Sequence, residues 1–113
     1  MKFSQIPGHK DIIEKLRNSV SRERVSHAQL FTGPEGSGTF ALALAYAQYI
    51  SCENRSAVDS CGICKSCVKY EKIIHPDLHF VFPVIRDKKN AEPVSDYYIE
   101  QWREFLRRSP YFT

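Results

Sequence analysis

QLFTGPEGSGTFALALAYAQYI, residues 29–50, is the stretch on which the fold turns. Gln29 to Thr32 is a short apolar run that stops at Gly33, which reads as a buried strand feeding a glycine turn. Phe40 to Ile50 is apolar on every side and rich in Ala and Leu, the composition of a helix covered by other elements. Strand, glycine loop and buried helix, in that order, is the setting that the phosphate-gripping pattern GxxxxGK[S/T] requires. Gly33 and Gly38 stand at its glycine positions, but Thr39 stands at the Lys position and Phe40 at the hydroxyl position.

The two departures have separate chemical meanings. Backbone N–H groups from Glu35 to Thr39 still cradle an anion at the start of the following helix, since that contact uses no side chain. Gly33, Gly36, Gly38 and Thr39 are therefore the candidate nucleotide-loop residues. Absent are the Lys that reaches the β and γ phosphates and the hydroxyl that ligates Mg²⁺. Glu35 adds a negative charge that weakens phosphate binding further. Weak anion binding without ATP turnover is expected, with ATP a doubtful ligand; a strand-to-helix turn with no ligand is the plainer alternative.

Working outward, Ile12, Ile13, Leu16 and Val20 recur at helical spacing between Asp11 and Arg24 and predict an amphipathic first helix. Beyond the buried helix, a short helix is expected from about Ser66 to Ile74, ended by Pro76. Asp77 to Val84, DLHFVFPV, has strand composition, with Pro83 marking an edge or an end. Ile85 to Pro93 is charged and turn-like. Ser95 then caps a helix whose Tyr98, Trp102, Phe105 and Leu106 form an aromatic core stripe.

A strand, a crossover helix and a second strand make a right-handed parallel βαβ unit. Two strands are a small sheet, and parallel sheets are normally covered on both faces. The expected fold is α/β: an incomplete P-loop-type parallel sheet with flanking helices and an inserted metal module. Residues 1–113 then form the N-terminal part of a larger domain, and the uncovered apolar surface predicts self-association or marginal stability for the isolated piece.

Composition narrows the partner classes. A chain of 113 residues with 42% hydrophobic and 26% charged residues is that of one ordinary globular domain. Sixteen Lys and Arg against thirteen Asp and Glu leave a formal charge of +3, far weaker than the dense basic stripe of an autonomous nucleic-acid binder, so the charge permits such a role without indicating it. The apolar run Phe40 to Ala47 falls short of the roughly 20 residues that span a bilayer. MKFSQIPGHK lacks the apolar core of an export signal, so a soluble, cytoplasmic protein without membrane contact is expected.

Cys52, Cys61, Cys64 and Cys67 carry the strongest chemical signal. Two overlapping CxxC steps hold three sulfurs within seven residues, and Cys52 closes the set from the end of the preceding helix. Four thiolates suit tetrahedral Zn²⁺ at Zn–S distances of about 2.3 Å, in a closed, structural shell. Lys65 and Lys69 are placed to soften the negative charge. An iron–sulfur site competes for the same ligands, free buried thiols are the bland alternative, and disulfides need an oxidising compartment. The metal is expected to pin an insertion spanning about 52–67.

Other polar residues read more plainly. His75, before Pro76, is expected as a cation near a helix C-terminus rather than a metal ligand, and His27 as a packed or capping side chain. His79 alternates with Phe80 along the expected strand. Arg103, Arg107 and Arg108 favour a helix end or are solvated, with DNA-backbone contact the sharper alternative.

SHAQLFTGPEGSG at 26–38, CGICKSC at 61–67 and HPD at 75–77 together resemble the N-terminal part of bacterial clamp-loader subunits of DNA polymerase III. These are AAA+ class proteins with a zinc module inserted after the phosphate-loop helix, and the resemblance covers about Ile6 to Val84. It implies that the four cysteines are structural zinc ligands and that Gly33 to Phe40 match the nucleotide loop in decayed form. Motor subunits of the family keep the Lys and the Ser or Thr, so Thr39 and Phe40 give the chain the look of the delta-prime, non-hydrolysing stator type. The implied partners are the motor and delta subunits, with the sliding clamp and primed DNA reached through the assembly. An active AAA+ ATPase subunit and a zinc-stabilised nucleic-acid-binding module are the alternatives.

Overall fold

The computed structural model describes residues 1–81 and 99–108. Within them a 3₁₀ turn at Phe3–Gln5 precedes four helices: α1 (Lys10–Ser21), α2 (Thr39–Ser51), α3 (Lys65–Glu71) and α4 (Ile99–Arg108). None of the helices is long and apolar enough to cross a membrane.

α2 is the centre of the packing. Its Ala and Leu residues are strong helix formers, and Ala41, Leu42, Leu44, Ala45, Tyr46, Gln48 and Tyr49 are all buried. α1 lays Ile13 and Val20 into the same core, with Leu16 partly buried against it. Phe3 meets the Tyr49 ring at 5.4 Å and Phe31 meets Tyr46 at 6.1 Å, so the chain before α1 and the segment before the glycine loop both lean on α2.

Two helices stop where the sequence offers no glycine. After α1, Arg24 N–H donates to the Ser19 carbonyl (2.8 Å) and Glu23 N–H to that of Val20 (3.1 Å), with Glu23 left-handed at φ 54°. After α3, Ile74 N–H donates to Lys69 (2.9 Å) and Ile73 N–H to Tyr70 (3.0 Å), with Ile73 at φ 58°. Both are Schellman closures, which satisfy the last orphan carbonyls at the cost of a strained C′ residue. The second ends α3 at Glu71, short of the Ile74 expected from Pro76.

The strands expected at Gln29–Thr32 and Asp77–Val84 are not formed among the described residues, so the parallel sheet is not shown. A strand exists only through a ladder partner, and neither segment has one there. Leu30 is 86% exposed and Val81 95%, rather than buried. Leu78 and Phe80 are half-buried while His79 and Val81 are exposed, so the alternation of a strand is present without its pairing. Residues 82–98, including Pro83, Ser95 and Tyr98, lie outside the described residues, as does the turn-like stretch Ile85–Pro93.

α4 docks through Leu106, 2% exposed, and through Trp102, whose ring lies 6.1 Å from Phe40 and 6.0 Å from Phe80. Phe105, expected in the core, stands largely exposed and touches the Trp102 ring at 5.8 Å. Arg103 pairs with Glu100 at 2.7 Å, and Arg107 donates to the Lys72 carbonyl at 2.7 Å, joining α4 to the end of α3.

The insertion between α2 and α3 is held by a polar knot. The Asp59 carboxylate accepts from the N–H groups of Phe3 (3.0 Å), Ser4 (3.0 Å) and Ser60 (2.8 Å). Gln48, fully buried, donates to Ser60 Oγ at 3.2 Å, and Tyr49 donates to the Ser56 carbonyl at 2.7 Å. Because Asp59 serves three backbone donors, Asp59→Ala is expected to lower unfolding stability by about 2 kcal/mol in a urea titration. A midpoint unchanged from the parent chain would show the knot to be energetically idle.

Candidate metal centre and glycine loop

The two sites foreseen in the sequence lie at opposite ends of α2. Cys52 is the residue that ends the helix, in extended geometry, and Gly38 is the left-handed residue that begins it. Thirteen helical residues separate them by roughly 20 Å. A metal at one end therefore takes no part in chemistry at the other.

At the C-terminal end, the Sγ atoms of Cys52, Cys61, Cys64 and Cys67 all lie within 4.8 Å of one another. Cys52 to Cys64 is 4.0 Å and Cys61 to Cys67 is 3.9 Å, and all four are free thiols. A tetrahedral ion with metal–sulfur bonds of about 2.3 Å needs sulfur–sulfur edges near ~3.8 Å, so the cluster could hold a metal ion. Backbone N–H groups aim at the sulfurs: Asn54 and Cys61 at Cys52 (3.4 and 3.3 Å), Cys64 at Cys61 (3.3 Å) and Cys67 at Cys64 (3.4 Å). Such donors stabilise thiolates and orient the lone pairs of the ligands. Gly62, at φ 79°, makes the turn that brings Cys61 and Cys64 together.

The thiols differ in their grip on protons. Burial pushes the Cys67 thiol up to about 12, helped by the neighbouring sulfurs of Cys64 and Cys52. Burial also raises Cys64, but the N–H groups of Cys67 and Glu53, with the Cys67 and Cys61 thiols, outweigh it and bring Cys64 down to about 6. The N–H groups of Ile63 and Cys64 lower Cys61. A bound cation favours all four in the thiolate form, so metal affinity falls as acid competes for the sulfurs.

At the other end of α2, Gly33, Gly36, Gly38 and Thr39 lie in one tight loop. Gly36 and Gly38 are left-handed (φ 76° and 83°), and Ser37 N–H closes a turn on the Pro34 carbonyl at 3.1 Å. A Cβ on Gly33 would come within 2.6 Å of Ser37 Oγ and 3.0 Å of Thr39 Cγ2, so this glycine permits the loop to fold onto itself. A cavity of about 360 Å³ opens beside the loop, lined by His9, Ile12, Phe31, Gly33, Ser37 and Thr39 among others. Phe40 turns away to stack on Phe80 at 6.1 Å.

His75 corrects an expectation. Its Nδ1 accepts the Asp77 N–H (3.1 Å), which leaves Nε2 to donate to Ser66 Oγ (3.1 Å), and the ring lies tilted against that of Tyr70 with centroids 4.6 Å apart. It is a buried side chain with a hydrogen bond at each ring nitrogen rather than a group set on the end of a helix. His27 is exposed rather than packed. Asp59, Gln48 and His9 were not foreseen. His9 alone left a signal, the neighbouring Pro7-Gly8 turn, and nothing in the local sequence shows what it reaches.

The family described as DNA polymerase III, delta subunit, matches residues 8–113, and the chain belongs to that family. It is 39% identical over 72 residues to DNA polymerase III subunit delta' of Bacillus subtilis, covering 64% of this chain and 22% of that protein. It is 28% identical over 95 residues to Protein STICHEL-like 4 of Arabidopsis thaliana, covering 78% of this chain and 10% of that protein. With DNA polymerase III subunit tau of Bacillus subtilis it shares 32% over 66 residues, covering 58% of this chain and 12% of the other. The chain thus spans about a fifth or less of the length of these relatives. No solved structure matches. These similarities identify a clamp-loader subunit of the AAA+ type.

The need for thiolates gives the centre a pH signature. A metal held by Cys52, Cys61, Cys64 and Cys67 is expected to be released as pH falls, because protons compete for the sulfurs. A colorimetric chelator followed against pH reads the release, and release independent of pH would contradict it.

Proposed function

We propose that this chain is the N-terminal portion of the AAA+ domain of a delta-prime-type subunit, one that organises a DNA polymerase III clamp loader without hydrolysing ATP. The observation that carries the reading is the fate of Phe40. At the position where the motif needs a hydroxyl for Mg²⁺, an aromatic ring is built into a cluster with Phe80 and Trp102. Thr39, at the preceding position, carries no ammonium to meet the β and γ phosphates. Gly33, Gly36, Gly38 and Thr39 keep the form of the loop, so any nucleotide held there rests on backbone N–H groups.

The metal is proposed to be zinc, with Cys52, Cys61, Cys64 and Cys67 as its ligands. Four-sulfur tetrahedral sites belong to zinc or to iron–sulfur chemistry, and a full sulfur shell leaves no open position for substrate. The ion then cross-links the insertion at about 52–67 and leaves the reaction chemistry to other subunits. The exposed runs around Leu30 and Val81 fit an incomplete sheet whose remaining strands would add beside them. In the cytoplasm the whole subunit would contact the motor and delta subunits, and would reach the sliding clamp and primed DNA through them.

Metal analysis of protein purified without chelator is expected to find one zinc per chain, colourless in visible light. Cys67→Ser should lose it, with faster proteolysis across 52–67. Iron with visible absorption, or no metal, overturns the zinc reading. For the stator role, the intact parent polypeptide, alone, is expected to show no ATP turnover above the protein-free control. Turnover that is abolished by Thr39→Ala would make it a motor instead.

A further inference from the structure

We infer that His9 is a positioning residue: through Nε2 it holds the peptide between Ser37 and Gly38 and so sets where the glycine loop points its Gly38 N–H. The ring nitrogen lies 2.8 Å from the Ser37 carbonyl oxygen, across 28 positions of sequence. A carbonyl only accepts, so Nε2 carries the proton. The Ser37 carbonyl and the Gly38 N–H belong to one planar peptide and point in opposite directions. Holding the first fixes the second.

The backbone of His9 is left-handed, at φ 56° and ψ 29°, directly after Gly8 at φ 73°. A non-glycine residue stays in this region when its surroundings over-determine it. Here the surroundings act from two sides, since the His9 carbonyl also accepts the Ile13 N–H (2.9 Å) and so starts α1. Ser37 is held from within the loop by its own turn to Pro34 and by the close approach of Gly33. His9 closes it from outside, which joins the first turn of α1 to the entry of α2 beside the 360 Å³ cavity. The latch deepens the reading of residues 33–40 as a phosphate-type loop and rests on it only for what the amide would face.

Hydrogen exchange in the intact chain, without nucleotide, tests the latch apart from the ATPase question. In His9→Ala and His9→Gly the Ser37 amide, which is bonded to the Pro34 carbonyl, is expected to exchange about fivefold faster, as for a lost hydrogen bond, while Ala45 to Tyr49 stay protected. His9→Gln, whose amide nitrogen has similar reach, should restore most of the protection. Ring ¹⁵N shifts of the parent chain should report the Nε2-protonated tautomer. Parental protection in His9→Gly, or equal acceleration along all of α2, overturns the inference. If His9→Ala does not fold, the Gln and Gly variants decide alone: protection kept by Gln and lost by Gly supports the latch, and equal protection overturns it.

Discussion

The burial of α2 on nearly every side is the constraint from which the rest of the chain takes its position. A helix with Ala41, Ala45 and Gln48 almost wholly out of water can neither slide nor rotate without opening its neighbours. Its two ends are therefore fixed points. The glycine loop is set at one and Cys52 at the other, so the loop and the metal centre are rigid with respect to each other although no side chain joins them. The burial of Gln48 shows the same logic with a polar group, since a buried amide must be fully bonded, and it finds Ser60 in the insertion.

Legibility in the sequence follows the range of the interaction. α1 could be read because its periodicity is local, α2 because an Ala- and Leu-rich apolar run favours a covered helix, and the cysteine cluster because CxxC steps place sulfurs within a few residues of each other. The strands could not, since composition gives only a willingness to pair, and the partner of a strand is supplied by distant chain. Leu30 and Val81 lie in segments of strand composition and stand in solvent, with no ladder partner among the described residues. Helix ends were misjudged where Glu23 and Ile73 take the left-handed place that glycine usually marks. Asp59 carries no local pattern at all, because its three donors are assembled by tertiary packing.

The same range argument separates the two halves of the glycine loop. Its backbone half is local and survives in Gly36, Gly38 and the Pro34–Ser37 turn, to which His9 adds one bond from outside. Its side-chain half is where Phe40 stands, and that ring now contributes apolar contact with Phe80 and Trp102. A hydroxyl there would leave a gap among aromatic rings and an unsatisfied polar group near them. Restoring the motif would thus weaken the docking of α4, so the packing itself opposes a return to the nucleotide-hydrolysing pattern.

His9, Glu23 and Ile73 occupy left-handed backbone without being glycine, and each sits where two or more hydrogen bonds meet. Left-handed geometry costs about 1–2 kcal/mol for such residues, comparable to one or two net hydrogen bonds, so it persists only where it completes several at once. At Glu23 and Ile73 the return is a closed helix end. At His9 it is a helix start together with a bond to another segment, which makes the strain a means of connecting α1 to the loop rather than of ending a helix. Ile73 adds burial to its two closure bonds, and that burial is why a β-branched residue is tolerated there. Strain in this chain therefore marks the joints between elements, and the joint at His9 is the one that faces the cavity.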